Sequence, residues 1–89
     1  MTENEIKLLG FTRQDVTNDE HWESYHYYTY RITKGLEFIS CASDGAIDGE
    51  WYIEVFNTEE PIRFSSFEEV KTLINKLEKA KHEKEQTGQ

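Results

Sequence analysis

The sequence holds a single proline, Pro61, and only five glycines in 89 residues, too few for a low-complexity chain. One cysteine, Cys41, leaves no internal disulfide to staple the fold. No apolar run approaches the roughly 18 residues a membrane span needs. The opening Met1-Thr2-Glu3-Asn4-Glu5 is acidic where a secretion signal would be basic, and no long apolar stretch follows it. These absences predict a cytoplasmic protein with no membrane association. Positive charge is also scarce over most of the chain. Residues 1–70 carry fifteen Asp or Glu against five Lys or Arg, net −10, while residues 71–89 carry three against five, net +2. An acidic body repels phosphate, and affinity for DNA rests largely on Lys and Arg displacing counterions, so direct nucleic-acid binding is not expected.

What the chain has instead is aromatic surface. Five Phe, five Tyr and two Trp make up 13 % of the residues. A chain this short buries only about 60–65 % of its unfolded surface, so large side chains are the efficient way to build its core. The densest run is "YHYYTYRIT", residues 25–33, with four tyrosines in six positions.

Local patterns place the elements around that run. Thr2 and Glu5 have capping-box spacing, Ile6 and Leu9 recur at a helical step, and Gly10 can end a helix, which predicts a short helix over residues 3–9. "FTRQDVT" predicts a strand, and the polar "NDEHWES" predicts a loop. In "YHYYTYRIT", alternation sends Tyr28, Tyr30 and Ile32 to one face and Tyr25, Tyr27, Thr29 and Arg31 to the other. Lys34-Gly35 turns the chain into "LEFISCAS". "DGAIDGE" holds two Asp-Gly turn signals, "WYIEVFN" is the next strand, and "IRF" after Pro61 a short last one. Finally Phe67, Val70, Leu73, Ile74, Leu77 and Ala80 form a helical stripe behind a Ser66–Glu69 capping box.

Short connections favour an antiparallel meander. The predicted fold is therefore α+β: a sheet of four, or five, antiparallel strands with the C-terminal helix on one face and a short N-terminal helix. Residues 1–82 form the single domain, and residues 83–89 a disordered polar tail. Alternation puts Tyr28, Tyr30, Ile32, Leu36, Phe38, Trp51, Ile53, Val55, Ile62 and Phe64 under the helix. It leaves Tyr25, Tyr27, Arg31, Glu37, Ile39, Cys41, Tyr52, Glu54 and Phe56 on the other side, an unusually aromatic solvent face.

Chemical motifs are weak by comparison. Asp44, Asp48 and Glu50 lack the spacing of a calcium loop. His21, Glu23 and His26 lack the spacing and the cysteines of a zinc site. Cys41 with His26 has no oxyanion site beside it, and no phosphate loop, dinucleotide fingerprint or nucleophile elbow occurs. No catalytic, metal-binding or cofactor-binding residue is assigned, and no small-molecule ligand is expected. The candidate interaction face is Tyr25, Tyr27, Arg31, Tyr52 and Phe56, rich in the residue types of interface hot spots. Three readings stay open for it: cross-strand packing alone, a docking surface, or a second small core covered by residues 3–9.

The segments "LLGF", "YYTYRI", "ISCASDG", "DGEWYIEVFN", "IRF" and "FEEVKTLINKLEKA" resemble small proteins of phage and prophage origin. That resemblance implies a host- or phage-directed role in the cytoplasm and supplies no catalytic residue. With the composition, it gives the expectation of a non-enzymatic protein-interaction module. Its alternatives are an acidic DNA mimic that inhibits a host nucleic-acid enzyme, and a homodimer formed through the aromatic face.

Overall fold

The structure is a computed structural model. It describes the backbone of residues 1–18 and 23–87, and the side chains of residues 1–17 and 24–82. Most of the predicted loop "NDEHWES", namely residues 19–22, therefore lies outside the described residues, while Asn18, Glu23 and Ser24 belong to strands.

Helix α1, Glu3–Leu8, starts with the predicted capping box. The Glu5 amide donates to Thr2 Oγ1 at 3.2 Å and the Thr2 amide donates to Glu5 Oε1 at 2.8 Å, which satisfies two amides that a helix start leaves free. Five strands follow: β1 Thr12–Asn18, β2 Glu23–Thr33, β3 Leu36–Ser40, β4 Ile53–Val55 and β5 Arg63–Phe64. They pair antiparallel in chain order, so the sheet is a five-stranded meander. The β2–β3 turn passes through Gly35 at φ +91°, a region that favours glycine. Between Arg31 and Thr33 the register slips by one residue, a bulge that twists the end of the sheet. The segment between β3 and β4 contains a single 3-10 turn, Ser43–Gly45, and then a tight Asp48-Gly49 turn. Both of those turn residues have positive φ, and the Glu50 amide closes the turn on the Ile47 carbonyl at 2.9 Å. Helix α2, Phe67–Thr87, begins with the Glu69 amide donating to Ser66 Oγ. Its helical backbone continues past His82, where the sequence placed the end of the packed unit.

One face of the sheet carries the core. Tyr28, Phe38 and Ile53 are buried there against Ile6 of α1 and Val70 and Ile74 of α2, with Phe11, Ile32 and Trp51 filling the ends. The predicted inward set holds except for Ile62, which is 47 % exposed. Strand β5 is only Arg63–Phe64, and Ile62 lies just before it. Its carbonyl still accepts the Val55 amide at 3.0 Å, so it extends the β4–β5 pairing at the rim of the sheet, where its side chain stays in solvent. Among the described residues no helix is long and apolar enough to cross a membrane.

Helix α1 lies on the same face as α2. Glu3 Oε2 accepts hydrogen bonds from the Tyr28 hydroxyl at 2.8 Å and pairs with His26 Nε2 at 2.5 Å. Both partners point to the core side of β2, where His26 and Tyr28 also contact the Trp51 ring. Just beyond α1, Phe11 packs on Tyr30, with ring centroids 5.3 Å apart. A shared groove lined by Leu8, Leu9, Phe67, Lys71 and Ile74 joins the two helices. The reading in which residues 3–9 cover the Tyr25/Tyr27 face is thereby overturned. Glu3 is tied to the even-numbered residues of β2, and Tyr25 and Tyr27 are odd.

Candidate functional site

The second face of the sheet is ordered by strand register. Thr12, Thr29, Ile39, Glu54 and Arg63 stand opposite one another across all five strands. On one side of that row, Tyr27 opposes Gln14 and Tyr25 opposes Val16. On the other side Arg31 opposes Glu37, whose carbonyl accepts the Phe56 amide at 2.9 Å. Tyr52 precedes β4, and its carbonyl accepts the Cys41 amide at 3.0 Å. No described helix lies over this face.

The five residues expected from sequence thus share one face but not one cluster. Tyr25, Tyr27 and Tyr52 lie on one side of the central row, with Arg31 and Phe56 on the other. Tyr25, Tyr27 and Tyr52 are half-buried, Arg31 is exposed, and Phe56 is 54 % exposed. Sequence reasoning missed Arg63, whose guanidinium sits 4.0 Å from the centre of the Tyr52 ring. The same side chain donates to Glu54 Oε1 from Nη2 at 2.6 Å and from Nε at 3.0 Å. A cation over an aromatic ring is attracted by the ring's negative face, so Arg63 joins Tyr52 and Glu54 into one unit. The signal was available in the sequence: Phe64 points inward, so Arg63, its neighbour on β5, must point outward.

The polar heads divide into engaged and free. Arg63 and Glu54 are engaged with each other, and the hydrogen bond that the guanidinium donates to Glu54 raises the arginine above its usual range. Gln14 Nε2 donates to Thr29 Oγ1 at 3.4 Å. By contrast, the hydroxyls of Tyr25 and Tyr27 and the guanidinium of Arg31 have no hydrogen-bond partner among the described residues. Cys41 alternates with Ile39 toward this face but is only 6 % exposed, a correction to its expected solvent position. Burial pushes its thiol up, which disfavours the thiolate that a nucleophile needs.

Elsewhere, His26 is half-buried beside Glu3. His21 lies outside the described residues, and among the described residues no three His, Cys, Asp or Glu side chains converge to hold a metal. The same corner of the core holds the Met1 amino group, which donates to the Ser65 carbonyl at 2.9 Å and the Trp51 carbonyl at 3.2 Å.

The chain matches no protein-family model, no curated protein and no solved structure.

Proposed function

We propose that this protein is a small, non-enzymatic interaction module of phage or mobile-element type that docks a protein partner through its open sheet face. The observation that carries the reading is the line of Tyr25, Tyr27 and Arg31 along β2. Their polar heads lack partners among the described residues while their stems stand on a face that no described helix covers. Tyrosine and arginine anchor interfaces because each combines apolar contact area with a directional polar group. The rest of the face suits contact better than chemistry: Arg63 and Glu54 are bound to each other, and the buried Cys41 thiol is held protonated.

The partner's chemistry follows from charge. The chain carries net −8, so its field draws in a protein whose contact surface is rimmed by Lys or Arg, and speeds the encounter at low ionic strength. The apolar centre of that surface then meets the tyrosine rings.

The test replaces Tyr27 with a photo-crosslinking residue and, as a control, does the same at Lys79 on exposed helix surface. A basic partner should crosslink from position 27 and not from 79, less at high salt, and its capture should fall in a Tyr25→Ala/Tyr52→Ala background. Equal crosslinking from both positions, or capture indifferent to the alanine substitutions, would refute the reading. Competition by duplex DNA would identify the partner as a nucleic-acid enzyme and the acidic surface as a DNA mimic.

A further inference from the structure

The sheet has two edges of very different kind. Strand β5 is two residues long and offers almost no template for pairing, whereas β1 is seven residues long. No backbone hydrogen bond reaches residues 12–18 from outside the β1–β2 ladder among the described residues. The inner edge of β2 is treated otherwise. At the last residue of β3, Ser40 Oγ accepts the Tyr28 amide at 2.8 Å, and beyond the strand Ser43 Oγ accepts the His26 amide at 3.0 Å. One potential edge is closed by serine hydroxyls, and β1 is left open.

The direction of those two amides fixes which groups β1 presents. His26 and Tyr28 point their amides toward β3, so the odd residues of β2 point theirs toward β1. In the observed register Thr12, Gln14 and Val16 face Thr29, Tyr27 and Tyr25. It follows that Arg13, Asp15 and Thr17 direct their N–H and C=O groups outward, away from the sheet.

We propose that β1 is a self-association edge, which pairs antiparallel with β1 of a second copy about a two-fold axis at Gln14. Antiparallel pairing must oppose residues of like direction, so the axis must pass midway between a residue and its own copy. An axis at Arg13 or at Asp15 sets like charges directly opposite, which destabilises a sheet. The axis at Gln14 sets Arg13 opposite Asp15 of the second copy, and Asp15 opposite its Arg13. Each of these two pairs also exchanges both backbone hydrogen bonds, because these are the residues whose backbone groups face outward. On the open face the same register sets Thr12 opposite Val16, a pairing of β-branched side chains that favours strands.

Within one copy Arg13 Nε already donates to Asp15 Oδ1 at 2.9 Å, and the two side chains are 49 % and 67 % exposed. The second copy adds a cross-strand partner to each charge without breaking a buried contact. The paired molecule has a ten-stranded sheet, and the two-fold axis, perpendicular to it, keeps both open faces on the same side. An interface of one strand pair is small, and the copies repel through their net charge of −8 each, so the association is weak and reversible. It does not rest on the docking reading above.

Sedimentation equilibrium up to about 1 mM protein, near 0.15 M salt to screen the bodies, reads the association. Wild type should show a monomer–dimer equilibrium. Arg13→Asp opposes two acids and Asp15→Arg opposes two bases, and each alone should weaken dimerisation about tenfold or more. An equimolar mixture of the two variants restores complementary pairs and should form a heterodimer near wild-type strength. Tyr27→Ala should leave the dimer unchanged. Wild type that stays monomeric throughout, single variants that dimerise like wild type, or a mixture that fails to recover would each overturn the proposal. A dimer lost on Tyr27→Ala but kept in Arg13→Asp would overturn it too, and would assign self-association to the aromatic face.

Discussion

Removing the Glu3 carboxylate tests how α1 is held to the sheet. Two groups from β2 converge on it, the His26 ring at 2.5 Å and the Tyr28 hydroxyl at 2.8 Å. Hydrogen bonds to a charged group contribute about 1.5–3 kcal/mol when sheltered. The Glu3 side chain is 34 % exposed, so solvent screening lowers the combined contribution to about 1–2 kcal/mol. Glu3→Ala should therefore lower the melting temperature by about 5–10 °C in a domain of this size. Glu3→Gln keeps an acceptor for the tyrosine and should lose about half as much. The effect carries a pH signature. The His26 hydrogen bond, foremost, holds the Glu3 carboxyl below its ordinary value of 4.5, with Tyr28 adding to it and burial working against it. A carboxyl lowered by folding stabilises fully above its unfolded pKa, and that stability is lost as pH falls through the folded value. Thermal melts followed by tryptophan fluorescence should show the Glu3→Ala deficit at pH 7 and its disappearance well below pH 4.5. A variant melting within about 1 °C of wild type at pH 7 would refute the reasoning, as would a deficit that persists undiminished at about pH 3.

Two further outcomes follow from the serine-closed edge and the buried thiol. Ser40→Ala removes a buried hydroxyl that accepts the Tyr28 amide and donates to the Cys41 carbonyl, both at 2.8 Å. It should cost about 1–3 kcal/mol in urea denaturation and speed hydrogen exchange at the Tyr28 amide. Cys41, buried and with its thiol pushed up, should resist a thiol reagent in the native protein and react at a rate set by unfolding. Rapid modification under native conditions would contradict its place in the fold.

Much of the architecture was legible because it is periodic. Tyr28 and Ile32 are buried and Arg31 is exposed, as a period of two requires, and the Val70–Ile74 step marks the packed side of α2. Local chemistry was legible too, since Thr2 and Glu5 form their capping box from residues three apart. What could not be read was anything joining distant parts of the chain. Glu3 meets His26 and Tyr28 across more than twenty residues, and that contact decides which face α1 covers. The pairing of Arg63 with Tyr52 and Glu54 likewise depends on β4–β5 register, which no local pattern states. The candidate site was legible as a face, through the odd positions of β2, but not in its division around the Thr29–Ile39–Glu54 row.

The contact that hides the core side of β2 also leaves its other side open. With α1 tied to His26 and Tyr28, both helices lie on one face, and the chain has no described helix left for the other. A five-stranded sheet covered once keeps its second face only if the side chains there tolerate water, and this face does so unevenly. Arg63 and Glu54 shelter Tyr52 by covering and pairing, so that tyrosine is accounted for within the chain. Tyr25 and Tyr27 are not, since their neighbours Val16 and Gln14 belong to β1, beyond which the sheet stops. Pairing of β1 with a second copy would put Gln14 beside Gln14 and carry the Tyr27 row across the two-fold axis. The open edge and the open face would then act together, with the first joining two copies of the second and doubling the aromatic surface offered to one partner. Such a surface binds a partner with two contact sites far more tightly than a monomer does, through effective concentration rather than new contacts. Arg13→Asp should accordingly weaken capture of a bivalent partner while leaving a monovalent fragment of it unaffected, whereas Tyr27→Ala should weaken both.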